Sequence, residues 1–412
     1  MKILSLFDGM ACGMIAMLNA GVEVESYDSY EIDQYAIKVS SHNFPNIRHH
    51  GDVFRADFTQ YEGVDYLIGG SPCTYWSIAQ KNNRETEASG MGWELFSQYV
   101  RAVKEAKPKF FIYENNKSMS AAIRESIDKA FGFEAVCINS ALVSAQNRQR
   151  LYWVGMRNED GTYSKVHVEQ PEDRGILLKD VLDNAVAWQD KVHAYTTRCQ
   201  GAAIGDTLAK HRHTIVAEPI NMTSDGKSQC LRATCYKDTV RNLIGNNIDR
   251  RTAVAEPCKV GSVGNGGQGN RVYSICGKAV AQTATSGGIG SNTGLYAIPI
   301  EFDGEKPVKA ISGTDGKEHR VYEVNNGQVT IKGKQYPVKL PDGYYIFRKL
   351  TVTECMRLQT VPEWYDFSVI SNSQAYKCLG NGRTCDVITH LINAIQTAAR
   401  RKWLRNLLGD CL

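Results

Sequence analysis

The first part of the chain alternates short apolar runs with segments of helical spacing. Apolar runs predict strands at residues 2–7, 22–27, 65–68, 109–113 and 151–156. Between them, residues 13–20 and 94–106 have the periodicity of amphipathic helices, ending at Gly21 and before Pro108. This alternation predicts an α/β fold, with a doubly wound, mostly parallel sheet and helices on both faces.

Polar and glycine-rich motifs follow the predicted strands directly. Residues 7–9 follow the first strand, residues 69–73 follow the strand at 65–68, and Glu114 follows the strand at 109–113. Doubly wound sheets build their ligand sites at the carboxyl ends of the strands. We therefore expect these motifs to meet at one edge of the sheet.

The pattern changes after about residue 190. Residues 190–300 contain 14 glycines, few helical periods, and 13 Lys+Arg against 7 Asp+Glu, a surplus of +6. A basic, glycine-rich β segment is typical of a nucleic-acid surface, and equally of a structural β subdomain with solvated charges. Helical spacing returns at 353–359 and 387–408. We predict a first domain segment at 1–189, an inserted, mainly β domain at 190–345, and a return to the first domain at 346–412.

The overall composition is that of an ordinary globular protein. The 412 residues are 42% hydrophobic and 22% charged, and 48 Lys+Arg against 44 Asp+Glu give a net charge of +4. The 12 cysteines form no CxxC pair, so neither a disulfide framework nor a zinc site is predicted. With neither a secretory signal nor a long apolar stretch in view, we expect a reducing, cytoplasmic compartment, no membrane contact and no metal.

Cys73 and Glu114 are the first candidates for chemistry. Cys73 follows Pro72, which fixes the turn, and precedes a polar segment that includes Ser77. Its thiol suits a nucleophile, although a free cysteine is more often a small buried hydrophobe. Glu114 suits a general acid, although, taken alone, it is better explained as a helix cap or an ion-paired carboxylate.

A second group of candidates suits the binding of anions and nucleosides. In an extended segment Gln146, Arg148 and Arg150 share one face, where two guanidinium groups favour an anion; the alternative is a solvated edge strand. The loop after the first strand opens a helix and lets backbone N–H groups approach a ligand. An acid beyond the second strand, Glu31, suits ribose hydroxyls, and Asp52 suits an adenine amine.

The order of these motifs resembles the DNA cytosine-5 methyltransferase family. The resemblance covers about residues 1–157 and 346–412. The motifs that carry it are Phe7-Asp8-Gly9 with Gly13, Glu31, Gly51-Asp52, Pro72-Cys73, Glu114-Asn115, Gln146-x-Arg148-x-Arg150, the segment from Arg348 to Pro362, and Gly380-Asn381.

The resemblance implies a reaction and roles for these residues. S-adenosyl-L-methionine would donate a methyl group to C5 of a cytosine flipped out of duplex DNA, through a covalent adduct between Cys73 and C6. Glu114 would engage N3 and the exocyclic amine, Arg148 would support the thiolate, and Arg150 would contact the base carbonyl. Asn115, Gln146 and Ser77 would support the substrate side. The residues expected to bind the methyl donor are Phe7, Asp8, Gly9, Gly13, Glu31, Asp52, Pro72 and Asn381.

The resemblance also implies the protein's setting. The fold would be the Rossmann-like one of S-adenosylmethionine-dependent methyltransferases, and the 190–345 insert would recognise the target sequence. The expected partner is double-stranded DNA, bound by a monomer in the cytoplasm of a bacterial or phage-infected cell. A cognate restriction endonuclease is a further partner that such a protein can have.

Two positions depart from the family pattern, and three alternatives stay open. Asn116 replaces the usual Val after Glu-Asn, and Gly382-Arg383 replace the usual Ser-Val after Gly-Asn. The nearest alternative is methylation of RNA, because one branch of the family acts on tRNA. A catalytically silent DNA-binding relative is the second; it predicts loss of Cys73 or Glu114, and both are present. A nicotinamide enzyme is disfavoured, since the first loop lacks a third glycine.

Overall fold

The computed structural model divides the chain into two compact units. The first comprises Met1–Val143, Arg148–Arg174 and Gln359–Leu412, and the second comprises Ser144–Asn147 and Gly175–Leu358. The structure describes residues 1–77, 84–182, 257, 259–262, 270–274, 279–280, 295–300, 310–312, 318–331, 333–337, 340, 342–348 and 350–408. Most of the basic, glycine-rich stretch at 190–300 lies outside these residues, and the boundaries predicted at 190 and 345 stay a prediction.

The first unit is built on a twisted α/β sheet whose strand order is β3-β2-β1-β4-β5-β8-β6, with β9 paired to β8. The strands are β1 Lys2–Leu6, β2 Ser26–Tyr30, β3 Arg48–His49, β4 Tyr66–Gly69, β5 Phe110–Asn116, β6 Val136–Asn139, β8 Gln149–Arg157 and β9 Tyr163–Lys165. Strands β1 to β5 run parallel, and β8 runs antiparallel to both of its neighbours, β5 and β6. The prediction of a mostly parallel sheet is confirmed.

Helices cover both faces of this sheet. They are α1 Cys12–Asn19, α2 Gln34–Asn43, α3 Gly90–Ala106, α4 Ala121–Phe131, α6 Asn372–Asn381 and α7 Cys385–Leu408. On one face α7 buries Val387, Leu391 and Ile395 among residues of α1 and the sheet. On the other face the core is aromatic and includes Phe96 and Tyr99, both essentially without exposed surface. Apolar burial on this scale is the dominant favourable term in folding.

Strands β3, β6 and β9 were not predicted from the sequence, and two of the predicted strands have clearly different bounds. The second strand begins at Ser26 rather than at residue 22, because its buried residues include Asp28 and Ser29, whose polar side chains break the apolar pattern. Strand β5 extends to Asn116, so Glu114 lies within the strand, opposite Tyr152 of β8, rather than after its end. Antiparallel pairing with β8 supplies the hydrogen bonds that extend it.

The second unit contains mainly β structure among its described residues. Its larger sheet has the order β10-β11-β13-β18-β15-β16-β17, with β14 paired to β15, and β7 pairs with β12 in a separate ribbon. The strands are β7 Gln146–Asn147, β10 Lys259–Ser262, β11 Arg271–Ser274, β12 Ala279–Val280, β13 Leu295–Ile300, β14 Ala310–Ser312, β15 Glu318–Asn325, β16 Gln328–Ile331, β17 Lys334–Pro337 and β18 Gly343–Arg348.

A short helix follows these strands in the second unit, α5 Val352–Leu358. It begins with a capping box in which the Thr351 hydroxyl accepts from the Glu354 N–H and the Glu354 carboxylate accepts from the Thr351 N–H. A small apolar core around Val272, Val329 and Tyr345 lies in the β part of the unit.

Candidate active site

The loop after β1 is held in place by a buried carboxylate. Asp8 is 3% exposed and accepts hydrogen bonds from Tyr27 Oη at 2.7 Å, Ser5 Oγ at 2.5 Å and Ser29 Oγ at 3.1 Å. Phe7 and Gly9 both have positive φ, of 54° and 61°, so the chain turns sharply here. These contacts place the Asp8 side chain inside the unit, where it fixes the course of the loop.

Glu31 connects this loop to the end of β2. Its Oε2 accepts from the Gly9 N–H at 2.8 Å, and its Oε1 accepts from the N–H groups of Ile32 and Asp33, both at 2.8 Å. Burial raises the pKa of the Glu31 carboxyl, and the three backbone donors oppose that effect. A carboxylate accepts about four hydrogen bonds, so capacity for a ligand hydroxyl is left.

An exposed isoleucine, Ile32, lies beside Glu31 and is not among the residues that the sequence motifs single out. Ile32 is 73% exposed, although it follows directly on a half-buried acid at the site edge. Asp52, the next predicted ligand residue, caps a short helical turn by accepting from the Phe54 N–H at 3.0 Å. The signal that could have identified Ile32 is a large aliphatic residue immediately after a predicted ribose-binding acid.

Cys73 begins a short 3-10 turn, Cys73–Tyr75, after the exposed Pro72. Its carbonyl accepts from the Ser77 N–H at 3.0 Å and from Asn116 Nδ2 at 3.2 Å. Asn116 is 4% exposed and lies on β5, so it connects the cysteine turn to the strand that carries Glu114. In the sequence Asn116 stands out only as a departure from the family pattern, and no motif predicts its contact with the turn.

Asn115 holds the turn that precedes Cys73 from the other face of β5. Its Nδ2 donates to the Ser71 carbonyl at 3.2 Å and to Tyr113 Oη at 3.1 Å, and Ser71 Oγ lies 2.6 Å from Tyr113 Oη. All three side chains are buried. A fully satisfied buried network of this kind fixes one geometry for the strand and the turn.

Glu114 lies against the backbone of Gly70. A Cβ atom at Gly70 would come within 2.5 Å of the Glu114 carbonyl oxygen and 3.0 Å of Oε2. Glycine is therefore required at position 70 for the two strand ends to approach. The approach places the Glu114 carboxylate and the Cys73 turn, three residues after Gly70, at the same edge of the sheet.

Two arginines approach the Glu114 carboxylate from different elements. Arg150 Nε, on β8, is 3.1 Å from Oε1, and Arg383 Nε, just before α7, is 3.9 Å from Oε2. The side chains of Glu114 and Arg150 are each 15% exposed, and that of Arg383 is 6% exposed. Buried charges of this kind require partners, because desolvation is costly.

A third arginine, Arg148, lies behind this pair. It is 5% exposed and its Nη2 donates to the carbonyls of Gly382 at 2.9 Å and Gly380 at 3.3 Å. Burial, followed by the charge of Arg150, lowers the pKa of Arg148 to about 10. Arg148 therefore stays charged at neutral pH. The charges of Glu114 and Cys73 raise its pKa and partly oppose the effect of burial.

The remaining predicted residues are distributed as follows. Gly13 packs its Cα against Tyr27, whose hydroxyl would be 2.6 Å from a Cβ there, and Asn381 is exposed at the end of α6. Ser77 is half-buried beside the Cys73 turn. Gln146 belongs to the second unit; it is fully buried, and neither Oε1 nor Nε2 has a hydrogen-bond partner among the described residues.

In the first unit, therefore, the cluster around Glu114 combines that carboxylate with the guanidinium groups of Arg148, Arg150 and Arg383 and, nearby, the thiol of Cys73. Searching the described residues for three or more His, Cys, Asp or Glu side chains arranged to hold a metal finds none. In the same residues no helix is long and apolar enough to cross a membrane. The excess of positive charge suits a site in which negative charge develops.

Comparison with known proteins gives one consistent result. A family model described as C-5 cytosine-specific DNA methylase matches residues 1–397. The orphan methyltransferase M.SPRI of Bacillus phage SPR is 26% identical, over 96% of this chain and 97% of its own. The orphan methyltransferase M.Rho11sI of Bacillus phage rho11s is 27% identical over 77% of this chain, which spans 65% of the phage protein.

The solved structures agree on the fold. The structure of the Entamoeba histolytica methyltransferase EhMeth matches with a TM-score of 0.53 and 12% identity, covering 97% of this chain and 98% of its own. At that identity the likeness concerns the fold alone. The methyltransferase fold class predicted from the sequence is confirmed.

The charge cluster makes a prediction about stability. Glu114→Gln removes the carboxylate between Arg150 and Arg383 and leaves two largely buried guanidinium groups without their anion. We expect a loss of about 2–3 kcal/mol in the free energy of unfolding, measured by urea denaturation. Glu25→Gln, which breaks an exposed pair with Lys2, serves as the control and should unfold like the wild type. Equal stabilities of Glu114→Gln and the wild type would contradict the assignment of a buried ion cluster.

Proposed function

Because the chain belongs to the C-5 cytosine-specific DNA methylase family, we propose that it transfers a methyl group from S-adenosyl-L-methionine to C5 of a cytosine within a specific duplex sequence. The observation that carries this proposal is the connection of the Cys73 turn, through Asn116, to the strand that presents Glu114 to Arg150. A nucleophile, an acid and a cation on adjoining strand ends are what addition to a pyrimidine requires.

The proposed reaction begins at C6 of the cytosine ring. The Cys73 thiolate forms a bond to C6, and the electron pair of the C5–C6 double bond moves towards C5 while Glu114 hydrogen-bonds N3 and the exocyclic amine. Arg150 holds the Glu114 carboxylate and is placed to contact the base carbonyl, and Arg148 supplies positive charge near the thiolate. The bound donor supplies an electrophilic methyl group for C5. The C5 proton then passes to solvent, and the electron pair of the C5–H bond re-forms the C5–C6 double bond as the C6–S bond breaks and the Cys73 sulfur leaves as a thiolate.

A base stacked inside a duplex cannot reach Cys73, so the target must be flipped out. Extrusion costs a few kcal/mol of stacking and pairing. Contacts of the base with Glu114 and Arg150 would offset this cost. Recognition of the flanking sequence is assigned to the β structure of the second unit, whose surplus of positive charge at 190–300 favours phosphate contacts.

The residues along β1 and β2 fit the methyl donor. Glu31 keeps acceptor capacity for the ribose hydroxyls, Ile32 offers an exposed apolar surface for the adenine, and Asp52 suits its amine. The loop from Phe7 to Gly13 would surround the amino-acid part, with Asn381 and Pro72 at its edges. In this proposal Asp8 and Gly13 act by fixing the loop and its packing rather than by touching the donor.

The relatives suggest a setting. The two phage relatives carry the name orphan methyltransferase. We propose that this chain likewise acts on DNA in the cytoplasm of a bacterial or phage-infected cell, as a monomer. A partner restriction endonuclease is compatible with the same chemistry.

The cofactor assignment predicts the effect of changing Ile32. Ile32→Ser removes the apolar contact with the adenine and should weaken binding of S-adenosylhomocysteine by about tenfold, measured by titration calorimetry. Leu18→Ser is the matched control, since Leu18 is also an exposed aliphatic residue, 49% exposed, but lies at the far end of α1. Equal affinity of the two variants would exclude Ile32 from the donor site.

The reaction itself is tested by expressing the chain in a bacterium that lacks cytosine methylation and sequencing its DNA after bisulfite treatment. We expect protected cytosines in one sequence context, and none with Cys73→Ala. Cys137→Ala is the control, because Cys137 is also a partly exposed free thiol but lies on β6.

The covalent step is tested with a duplex that carries 5-fluorocytosine at the target position. This duplex should form a stable covalent complex with the wild type and none with Cys73→Ala. Methylation by Cys73→Ala would exclude the thiol mechanism. Methylated tRNA without methylated DNA would show that the substrate is RNA and not DNA.

A further inference from the structure

A buried amide, that of Asn116, stands where the family pattern has a valine. The residue is 4% exposed and lies at the end of β5, opposite Arg150 of β8. Burying an amide costs free energy unless its polar atoms find hydrogen-bond partners, whereas a valine has no such requirement. The partners of this amide therefore determine what the exchange contributes to the protein.

Both ends of the Asn116 amide have partners, and together these partners select one orientation. Nδ2 donates to the Cys73 carbonyl at 3.2 Å, and the Ser118 hydroxyl donates to Oδ1 at 3.2 Å. The Cys73 carbonyl can only accept a hydrogen bond, so it has to face the nitrogen end of the amide. The Ser118 hydroxyl holds the opposite end and thereby keeps the donor directed at the residue that carries the proposed nucleophile.

The face of β5 that carries this amide also carries the proposed acid. Glu114 and Asn116 are two residues apart in the strand, and side chains alternate between the two faces of a sheet. The acid and the amide bonded to Cys73 therefore project from one face of one strand. A valine at position 116 would fill the same space but would offer the Cys73 carbonyl no donor.

The other bonds at the Cys73 turn do not replace this contact. The Cys73 carbonyl also accepts from the N–H groups of Trp76 and Ser77, at 3.2 and 3.0 Å, but these donors belong to the turn itself. They shape the turn without fixing it to the sheet. Asn115 reaches the Ser71 carbonyl, two residues before the cysteine. The amide at position 116 thus connects β5 to the cysteine residue itself.

We propose that Asn116 is a positioning residue that holds the backbone of Cys73 in register with Glu114, so that the thiol and the acid meet the same pyrimidine ring. The inference rests on the proposed function and deepens it. In this role Asn116 acts through the Cys73 carbonyl and does not touch the base. A nucleophile that is already held in place does not have to be ordered during the reaction, and this lowers the barrier to addition.

The substitution that restores the usual family residue should therefore slow the reaction. Asn116→Val removes the donor to Cys73 and should lower the rate constant of covalent addition about fivefold, the effect expected for one hydrogen bond. Asn116→Asp keeps the shape of the side chain and the acceptor for Ser118, but it turns a carboxylate oxygen toward the Cys73 carbonyl. Because two acceptors repel each other, this variant should be slower than Asn116→Val. Affinity for the duplex and for S-adenosylhomocysteine should not change in Asn116→Val, because in this proposal its side chain bonds neither ligand.

The experiment follows the formation of the covalent complex in a single turnover. The probe is a duplex that carries 5-fluorocytosine in the sequence identified by bisulfite sequencing, mixed with an excess of the whole chain and saturating S-adenosyl-L-methionine. The rate constant reports the position of the thiol in folded molecules, whereas the amplitude and urea unfolding curves report how much protein is folded. Asn43→Val is the matched control. The Asn43 amide is also bonded at both ends, but it joins α2 to Asp366 instead of holding the Cys73 turn.

The outcomes separate this role from the proposed function. A rate constant about fivefold lower in Asn116→Val, lower still in Asn116→Asp and unchanged in Asn43→Val supports the inference. A wild-type rate constant in Asn116→Val, or a loss of amplitude alone, overturns the role of Asn116 and leaves the proposed function intact. If Asn116→Val does not fold, a wild-type rate constant in Asn116→Asp overturns that role instead. A folded wild type that forms no covalent complex and methylates no cytosine overturns the proposed function, and the role of Asn116 with it.

Discussion

The site depends on one carboxylate that is held between two arginines at a largely buried sheet edge. Glu114 Oε1 is 3.1 Å from Arg150, and Oε2 is 3.9 Å from Arg383. Neither contact is available to an isolated βα unit, because β8 must turn back antiparallel to β5 and the chain must return from the second unit to deliver Arg383. Much of the fold's topology thus brings these charges to one carboxylate. Any one of these buried charged side chains would be strongly destabilising without its partner.

A second constraint is the close approach of backbones around that carboxylate. The absence of a side chain at Gly70 lets β4 end against Glu114, and Asn115 and Asn116 then secure the turn from opposite sides of β5. The amide groups pair with carbonyl oxygens of the turn, so the position of Cys73 follows from the strand rather than from the flexibility of its loop. Holding reactive groups on regular elements is what gives a site its reproducible geometry.

Sequence reasoning succeeded where a local pattern carries the information. Apolar periodicity predicted α7 and five strands of the first unit, and the position of motifs after strands predicted that the Cys73 turn and Glu114 meet at one edge of the sheet. It was wrong about the start of β2 because Asp28 and Ser29 are buried polar residues whose partners lie elsewhere in the chain. It gave no role to Arg383 or Asn116, since their contacts, with Phe7 and Cys73, join residues far apart in sequence. Such tertiary pairs leave no periodic signal.

The electrostatic balance of the cluster is itself an argument about chemistry. Arg148, Arg150 and Arg383 carry three positive charges against the single negative charge of Glu114, and burial already lowers the pKa of Arg148. A fold selected for stability alone would replace such a cluster with apolar side chains, because desolvation of the ions is not repaid in full. The surplus positive charge is compensated when negative charge enters the site. That charge is a thiolate at Cys73 or electron density displaced onto a ring that the thiolate attacks. Preorganised cations of this kind stabilise the charge that develops during reaction without reorienting at that moment. The same surplus that weakens the resting protein therefore favours the addition step that we assign to it.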